Sequence, residues 1–205
     1  DFLDVPDGLW RDPQWIAERK FDGTRVKLHL ETWGMGIDTR RICDDVRKGD
    51  QFGRYMDRTD NFPHVNKLCR PPSLTGATIL DAEVLAQDGK CRTTTSIVGS
   101  LPDEAIAKQE KIGFATFHVF DLVMLNGVLT SESDMSLMDR RRVIAQILND
   151  LDSPHLVLTE QVTNDAKLAF YRSEIDAGRE GIMLKHVGGR YGDEKAWVKC
   201  KCSLE

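Results

Sequence analysis

The amino-acid sequence predicts an α+β fold, and two observations carry that prediction. Seven short runs either alternate apolar with polar residues or are rich in β-branched and aromatic ones, which is the signature of strands. Only two helices are predicted, one from its amphipathic periodicity and one from its end signals, and they do not alternate with the strands as βαβ units would. At 205 residues the chain can bury a substantial core. No internal repeat, low-complexity tract or long linker divides it, so residues 1–205 are read as one domain.

The first predicted strand covers 15–21, Trp15-Ile16-Ala17-Glu18-Arg19-Lys20-Phe21. Alternate side chains of a strand share a face, which groups Glu18, Lys20 and Asp22 and sends Arg19 and Phe21 to the other side. Gly23 permits a turn with positive φ. A second strand follows at 25–31, where polar and apolar residues alternate. Thr39-Arg40-Arg41 is read as a loop. From 44 to 74 the pattern is weak, with Arg54 to Asp57 read as a short helix and Pro71 to Gly76 as a turn-rich connection.

The strand at 77–86 carries Asp81 and Glu83 on one face of an apolar run, where charges are costly unless paired or bound to a metal. An edge strand with its polar face in water is the alternative reading. Further strands are expected at 114–123, 155–162, 181–187 and 196–202. Ser136 reads as an N-cap with Asp139 three residues on, opening a helix with Ile144, Ile147, Leu148 and Leu151 on one face. A second helix starts near Asn164 and stops at Gly178. Gly188-Gly189-Arg190-Tyr191-Gly192 lacks the spacing of a phosphate-binding P-loop and reads as a flexible hairpin. In the last strand Lys199 and Lys201 share a face, while Val198, Cys200 and Cys202 take the other as packed hydrophobes.

Composition narrows the function classes. No apolar stretch reaches membrane-spanning length and no signal peptide is visible. Five cysteines (Cys43, Cys69, Cys91, Cys200, Cys202) form neither CxxC pairs nor a Cys/His cluster, so no zinc site or disulfide framework is predicted. An intracellular location, cytoplasmic or nuclear, follows as the expectation. The net charge of −5 argues against strong autonomous binding to nucleic acid. Basic residues do cluster at Arg40-Arg41, at Arg140-Arg141-Arg142 and at Lys199 with Lys201, where local phosphate contacts are expected.

Six elements resemble, in order and spacing, the motifs of the ATP-dependent DNA ligases and their relatives, the RNA ligases and mRNA-capping guanylyltransferases. Lys20-Phe21-Asp22-Gly23-Thr24-Arg25 is similar to the nucleophile motif, Thr39-Arg40-Arg41 to a Ser-Arg-x element, and Leu80-Asp81-Ala82-Glu83 to Leu-Asp-Gly-Glu. Phe120-Asp121-Leu122-Val123-Met124-Leu125-Asn126-Gly127, Glu180-Gly181-Ile182-Met183-Leu184-Lys185 and Trp197-Val198-Lys199-Cys200-Lys201 complete the set. The resemblance implies an ATP-grasp-like core of antiparallel sheets flanked by helices. It implies that Lys20, beside Asp22, attacks the α-phosphate of ATP and carries AMP as a phosphoramidate. It further implies that Lys199 and Lys201 neutralise charge on that phosphate, and that Glu18 accepts from the adenine amino group. Arg25 and Arg40 are implied nucleotide contacts, with Arg41 as the alternative inward residue. Phe120 and Met183 cover the two adenine faces. Glu83 meets the ribose hydroxyls, and Glu83 and Glu180 hold Mg²⁺.

A lysine amine is almost wholly protonated at neutral pH, and desolvation or neighbouring cations are the general means of making it a nucleophile. The implied activity is DNA ligation: self-adenylylation, AMP transfer to a nick 5′-phosphate, then phosphodiester sealing in nicked double-stranded DNA. The implied partner domain is a C-terminal OB-fold, beyond the last residue of this chain. The start at Asp1 and the closing Leu204-Glu205 are read as the ends of an excised, or isolated, catalytic domain that self-adenylylates poorly and does not seal nicks efficiently by itself. An RNA ligase, a GTP-using capping enzyme or a non-catalytic nucleotide-binding module are the alternatives.

Overall fold

The structure, a computed structural model, describes residues 7–44 and 53–201. Fifteen elements dominate this part of the chain: β1 (Trp15–Arg19), β2 (Thr24–Leu30), β3 (Met35–Ile42), β4 (Tyr55–Asp57), β5 (Thr78–Leu85), α1 (Cys91–Gly99), α2 (Pro102–Ile112), β6 (Thr116–Leu125), β7 (Val128–Leu129), α3 (Leu137–Leu151), β8 (Leu156–Leu158), β9 (Gln161–Val162), α4 (Ala166–Asp176), β10 (Gly181–His186) and β11 (Trp197–Lys201). They build two sheets. The smaller runs β11-β10-β1-β9, and the larger β4-β3-β2-β5-β6-β7 with β8 added in parallel to β6. Every other pairing is antiparallel. The α+β class is therefore as the sequence predicts.

Alternation decides which way each strand faces. In β2, Val26, Leu28 and Leu30 are buried and join Leu80, Ala82 and Val84 of β5, Phe117 and Val119 of β6, and Ile97, Ala105, Ile144 and Ile147 from the three helices behind the sheet. Full burial of a side chain such as Leu28 or Phe117 contributes about 1.5–3 kcal/mol. A second core, Trp10, Ala17, Tyr171, Ile182, Leu184 and Cys200, seals α4 against the smaller sheet. The polar faces of the two sheets are left toward each other.

The capping box is formed. Ser136 Oγ accepts from the Asp139 N–H at 3.1 Å, and the Ser136 N–H donates to Asp139 Oδ2 at 3.2 Å. The second helix also ends as predicted, with Gly178 at φ +68°. Other expectations are corrected. Residues 54–57 are not helical: Tyr55–Asp57 pair with β3 as a strand. Thr39-Arg40-Arg41 lies within β3, not in a loop. The run 155–162 is two strands, β8 in one sheet and β9 in the other, with the chain crossing over at Thr159-Glu160. β5 lies between β2 and β6, which removes the edge-strand alternative. Two helices, α1 and α2, occupy a stretch where none was predicted. Cys202, Leu204-Glu205 and residues 45–52 lie outside the described residues. Among the described residues no helix is long and apolar enough to cross a membrane.

His64 stacks on Phe114 (centroids 4.7 Å apart), with Phe62, Phe117 and His155 around it. Its Nε2 lies 2.9 Å from the Ala115 carbonyl, which can only accept, so Nε2 carries the proton. Burial pushes its pKa down to about 4. An unfolded histidine titrates near ~6.5, so between these values the unfolded chain binds more protons and stability rises with pH. The unfolding temperature should fall on acidification from about pH 6.5 to about 4, and less steeply in His64→Phe. Equal slopes in both proteins, measured by calorimetric scans across that range, would remove His64 from the cause.

Candidate active site

A cavity of about 580 Å³ opens between the two sheets, within the usual range of small-molecule sites. The smaller sheet supplies Glu18, Met183, Lys185, Trp197 and Lys199. The larger supplies Arg25, Thr39, Arg40, Arg41, Glu83 and Phe120. Lys20, Phe21 and Gly23, on the link from β1 to β2, close one end.

β1 stops at Arg19, and the Lys20 N–H donates to the Gly181 carbonyl at 3.0 Å. Lys20 Nζ donates to Glu180 Oε2 at 2.6 Å, and the other Glu180 oxygen meets Lys201 Nζ at 2.9 Å. Burial opposes ionisation of Glu180, yet the two lysines win and its pKa lies below the usual carboxylate range. The hydrogen bond to Glu180 raises Lys201 in return. Glycine is obligatory on both sides of this cluster. Gly23 does not take the positive φ its sequence suggested; it is needed for a close approach, since a Cβ there would stand 2.2 Å from the Val84 carbonyl oxygen, and one on Gly181, at φ +124°, 2.1 Å from that of Cys200.

The expected common face of Glu18, Lys20 and Asp22 is only partly realised. Glu18 and Lys20 line the cavity, whereas Asp22 is exposed and does not. Arg19 and Phe21, both expected on the far side, line it too: Arg19 does so although its guanidinium reaches back to Glu174 at 2.8 Å, and at Phe21 the strand alternation has ended with β1. The Phe21 ring stacks on His118 with centroids 3.9 Å apart.

Asp81 and Glu83 have different fates on β5. Asp81 is fully buried, bonded to Arg25 Nε at 2.8 Å and to the Tyr191 hydroxyl at 2.8 Å. Glu83 accepts one hydrogen bond, from the Gly23 N–H at 3.2 Å, and burial pushes its pKa up to about 7 against the pull of Lys20. Among the described residues no three or more His, Cys, Asp or Glu side chains converge to hold a metal unaided. Mg²⁺ commonly binds through one or two carboxylates plus substrate phosphates, and an undercompensated Glu83 with Glu180 fits that pattern.

Between Asp81↔Asp121 and Ala82↔Val119 the β5–β6 register shifts, leaving Phe120 as the extra residue of a bulge. Phe120 meets Trp197 edge-on at 6.0 Å, with the Arg25 guanidinium 5.5 Å and the Lys185 ammonium 5.0 Å from its ring centroid. Glu18, only 1 % exposed, accepts from Arg141 Nη1 on one oxygen and from Lys185 Nζ at 2.5 Å on the other. The sequence expectation of a phosphate-binding patch at Arg140-Arg141-Arg142 is corrected here. Arg140 is buried against Asp121 and Arg141 against Glu18, while Arg142 pairs with its own helix neighbour Asp139. Arg40, Arg41 and Lys199 are exposed and make no ion pair among the described residues, so they remain available to phosphate. Lys201 does not line the cavity and reaches the site through Glu180.

The family model for the ATP dependent DNA ligase domain matches residues 6–201. The chain belongs to that family. The DNA ligase of Methanothrix thermoacetophila is 29 % identical over 197 residues, a match covering 92 % of this chain and 32 % of that protein. The DNA ligase of Archaeoglobus fulgidus is 28 % identical over 200 residues, again 92 % of this chain and 32 % of the relative. The chain thus spans about a third of the length of these curated relatives. Among solved structures, mycobacterial DNA ligase D complexed with ATP and MES superposes with a TM-score of 0.60 at 21 % identity, covering 93 % of this chain and 55 % of that one. The ATP-dependent DNA ligase from bacteriophage T7 in complex with ATP gives 0.61 at 14 % identity, covering 98 % and 67 %. At such identities the superpositions establish a shared fold.

Three residues that shape the site of this ligase domain, Tyr191, Lys185 and Trp197, were given no role by its sequence, and a fourth, Arg141, was given only the phosphate contact corrected above. Trp197 and Lys185 carried a usable signal, since each lies two residues along its strand from a residue singled out for the site, Lys199 and Met183. Tyr191 and Arg141 carried none. Their partners, Asp81 and Glu18, lie more than a hundred residues away in sequence.

Proposed function

We propose that this domain performs the nucleotidyl-transfer step of an ATP-dependent DNA ligase. The observation that carries the reading is the Lys20 amine at the mouth of a nucleotide-sized cavity, held on Glu180 with Lys201 beside it. ATP enters with its base between Phe120 and Met183 and its phosphates toward Lys20 and Lys199. Base–aromatic stacking of this kind contributes about 1–3 kcal/mol for any base. Glu83 and Glu180 would hold Mg²⁺, which supplies charge neutralisation on the phosphates. Lys20 Nζ forms a bond to the α-phosphorus, the bond from that phosphorus to the α–β bridging oxygen breaks, and pyrophosphate leaves with its electron pair. The attacking amine is the neutral form of Lys20, its proton having passed to solvent water before the bond to phosphorus forms. Lys199 and Lys201 then stabilise the charge developing on the phosphoryl oxygens. Arg40 and Arg41 face the nick 5′-phosphate that next receives AMP, and a 3′-hydroxyl displaces AMP to seal the strand. The chain's one-third share of its relatives leaves room for a further domain, such as an OB-fold, to close over DNA.

Intact mass after incubation with Mg²⁺ and either ATP or GTP tests the reading. One AMP added from ATP and discharged by pyrophosphate is the expected result. A GMP adduct instead would move the protein to the capping class.

A further inference from the structure

We infer that Arg141, on α3 and outside every motif named above, is a positioning residue that sets the base preference of the cavity through Glu18. The inference rests on the nucleotidyl-transfer reading, and it adds to it a residue that does not touch the nucleotide. Arg141 is buried and does not line the cavity. It is pinned from behind: Nη2 donates to the Thr159 carbonyl at 2.6 Å and Nη1 to Thr159 Oγ1 at 3.2 Å. From that anchor Nη1 also holds one Glu18 oxygen, while Lys185 holds the other. Thr159 sits where the chain crosses from β8 to β9, so the clamp is fixed by the joint between the two sheets.

An ionised carboxylate offers only acceptors, with about two lone pairs on each oxygen. One pair on each Glu18 oxygen is taken by a cation, and a second remains for a ligand in the cavity that Glu18 lines. Adenine carries an amino donor where guanine carries a carbonyl oxygen, so a fixed carboxylate attracts the first and repels the second. The discrimination depends on Glu18 staying in place. Lys185 cannot ensure this, because its ammonium is a compact charge on a flexible stem and can follow a moving carboxylate. Two of its three donors are used, on Glu18 and on the Phe120 carbonyl, and the third could serve a guanine oxygen once Glu18 swings aside. The planar fork of Arg141, tied to Thr159, prevents that swing.

The test is calorimetric titration of the intact chain with ATP and with GTP, for the wild type, Arg141→Lys and Thr159→Val, after thermal scans confirm folding. Arg141→Lys keeps the charge and loses the fork. It should lower the preference for ATP over GTP about tenfold or more, the scale of one hydrogen bond to a charged group. Thr159→Val removes the hydroxyl anchor at a residue that also lines the cavity and keeps its carbonyl bond to Nη2, and should shift the preference several-fold in the same direction. Equal weakening of both nucleotides would make Arg141 merely structural and overturn the inference, as would an unmoved ratio in a wild type that prefers ATP. A wild type that binds neither nucleotide would overturn the underlying functional reading with it.

Discussion

Lys20→Arg should abolish the AMP adduct while leaving ATP binding within about threefold of wild type. The reasoning follows from what arginine keeps and what it loses. A guanidinium at this position retains the positive charge, the reach to Glu180 and the backbone hydrogen bond to Gly181. It cannot lose a proton at accessible pH, so it offers no lone pair to a phosphorus atom. Lys20→Ala loses the charge as well, leaving Glu180 paired with Lys201 alone, and should both lose the adduct and bind ATP more weakly. The expected loss of adenylylation rate is on the order of 10³-fold or more for each, as for removal of any covalent nucleophile. Tandem mass spectrometry after incubation with ATP and Mg²⁺ decides it. An adduct persisting in Lys20→Arg, mapped to another lysine, would place the nucleophile elsewhere.

The fold class, one helix with clear periodicity, a second marked by its end residues and most of the strands were legible because those signals are local. Val26, Leu28 and Leu30 alternate, and Ser136 with Asp139 caps a helix, whatever the rest of the chain does. The missed helices show two kinds of failure. α2 had readable punctuation: Pro102 in its first turn, Asp103 and Glu104 after it, and Gly113 at φ +100° at its end. α1, Cys91-Arg-Thr-Thr-Thr-Ser-Ile-Val-Gly, is poor in helix formers and exists through tertiary support. Thr94 Oγ1 accepts from the Ala86 N–H at 2.9 Å, and the buried Asn61 amide reaches the Ile97 carbonyl at 2.9 Å. The candidate site divides in the same way. Lys20, Glu83, Phe120, Met183 and Lys199 came from short motifs and all line one cavity. The electrostatic frame behind them could not be read, because it consists of pairings across the two sheets. Arg140 and Arg141 illustrate the point. A triple arginine reads as a solvated patch, although Arg140 is spaced four, seven and eleven residues from Ile144, Ile147 and Leu151 and so shares their buried stripe.

Asp121→Ala should be among the most destabilising single substitutions in the protein, costing about 3–5 kcal/mol. Asp121 and Arg140 are both fully buried, with Nε–Oδ1 at 2.5 Å and Nη2–Oδ2 at 3.1 Å. The remaining guanidinium nitrogen, Nη1, donates to the carbonyls of Met135 at 3.0 Å and Gly189 at 2.9 Å. The pair therefore ties β6 to α3 and to the 188–192 turn, one residue from the Phe120 bulge. Removing the carboxylate strands a charge that has no route to water, and that penalty exceeds the net worth of the pair itself. For a chain of this size the cost corresponds to a fall of roughly 6–20 °C in unfolding temperature. Replacing both partners, as Asp121→Leu with Arg140→Met, removes the stranded charge together with its partner, so the double variant should be more stable than Asp121→Ala. Calorimetric scans of the single and double variants give the coupling directly. A double variant as unstable as the sum of the matching singles, Asp121→Leu and Arg140→Met, would mean that the two side chains contribute independently.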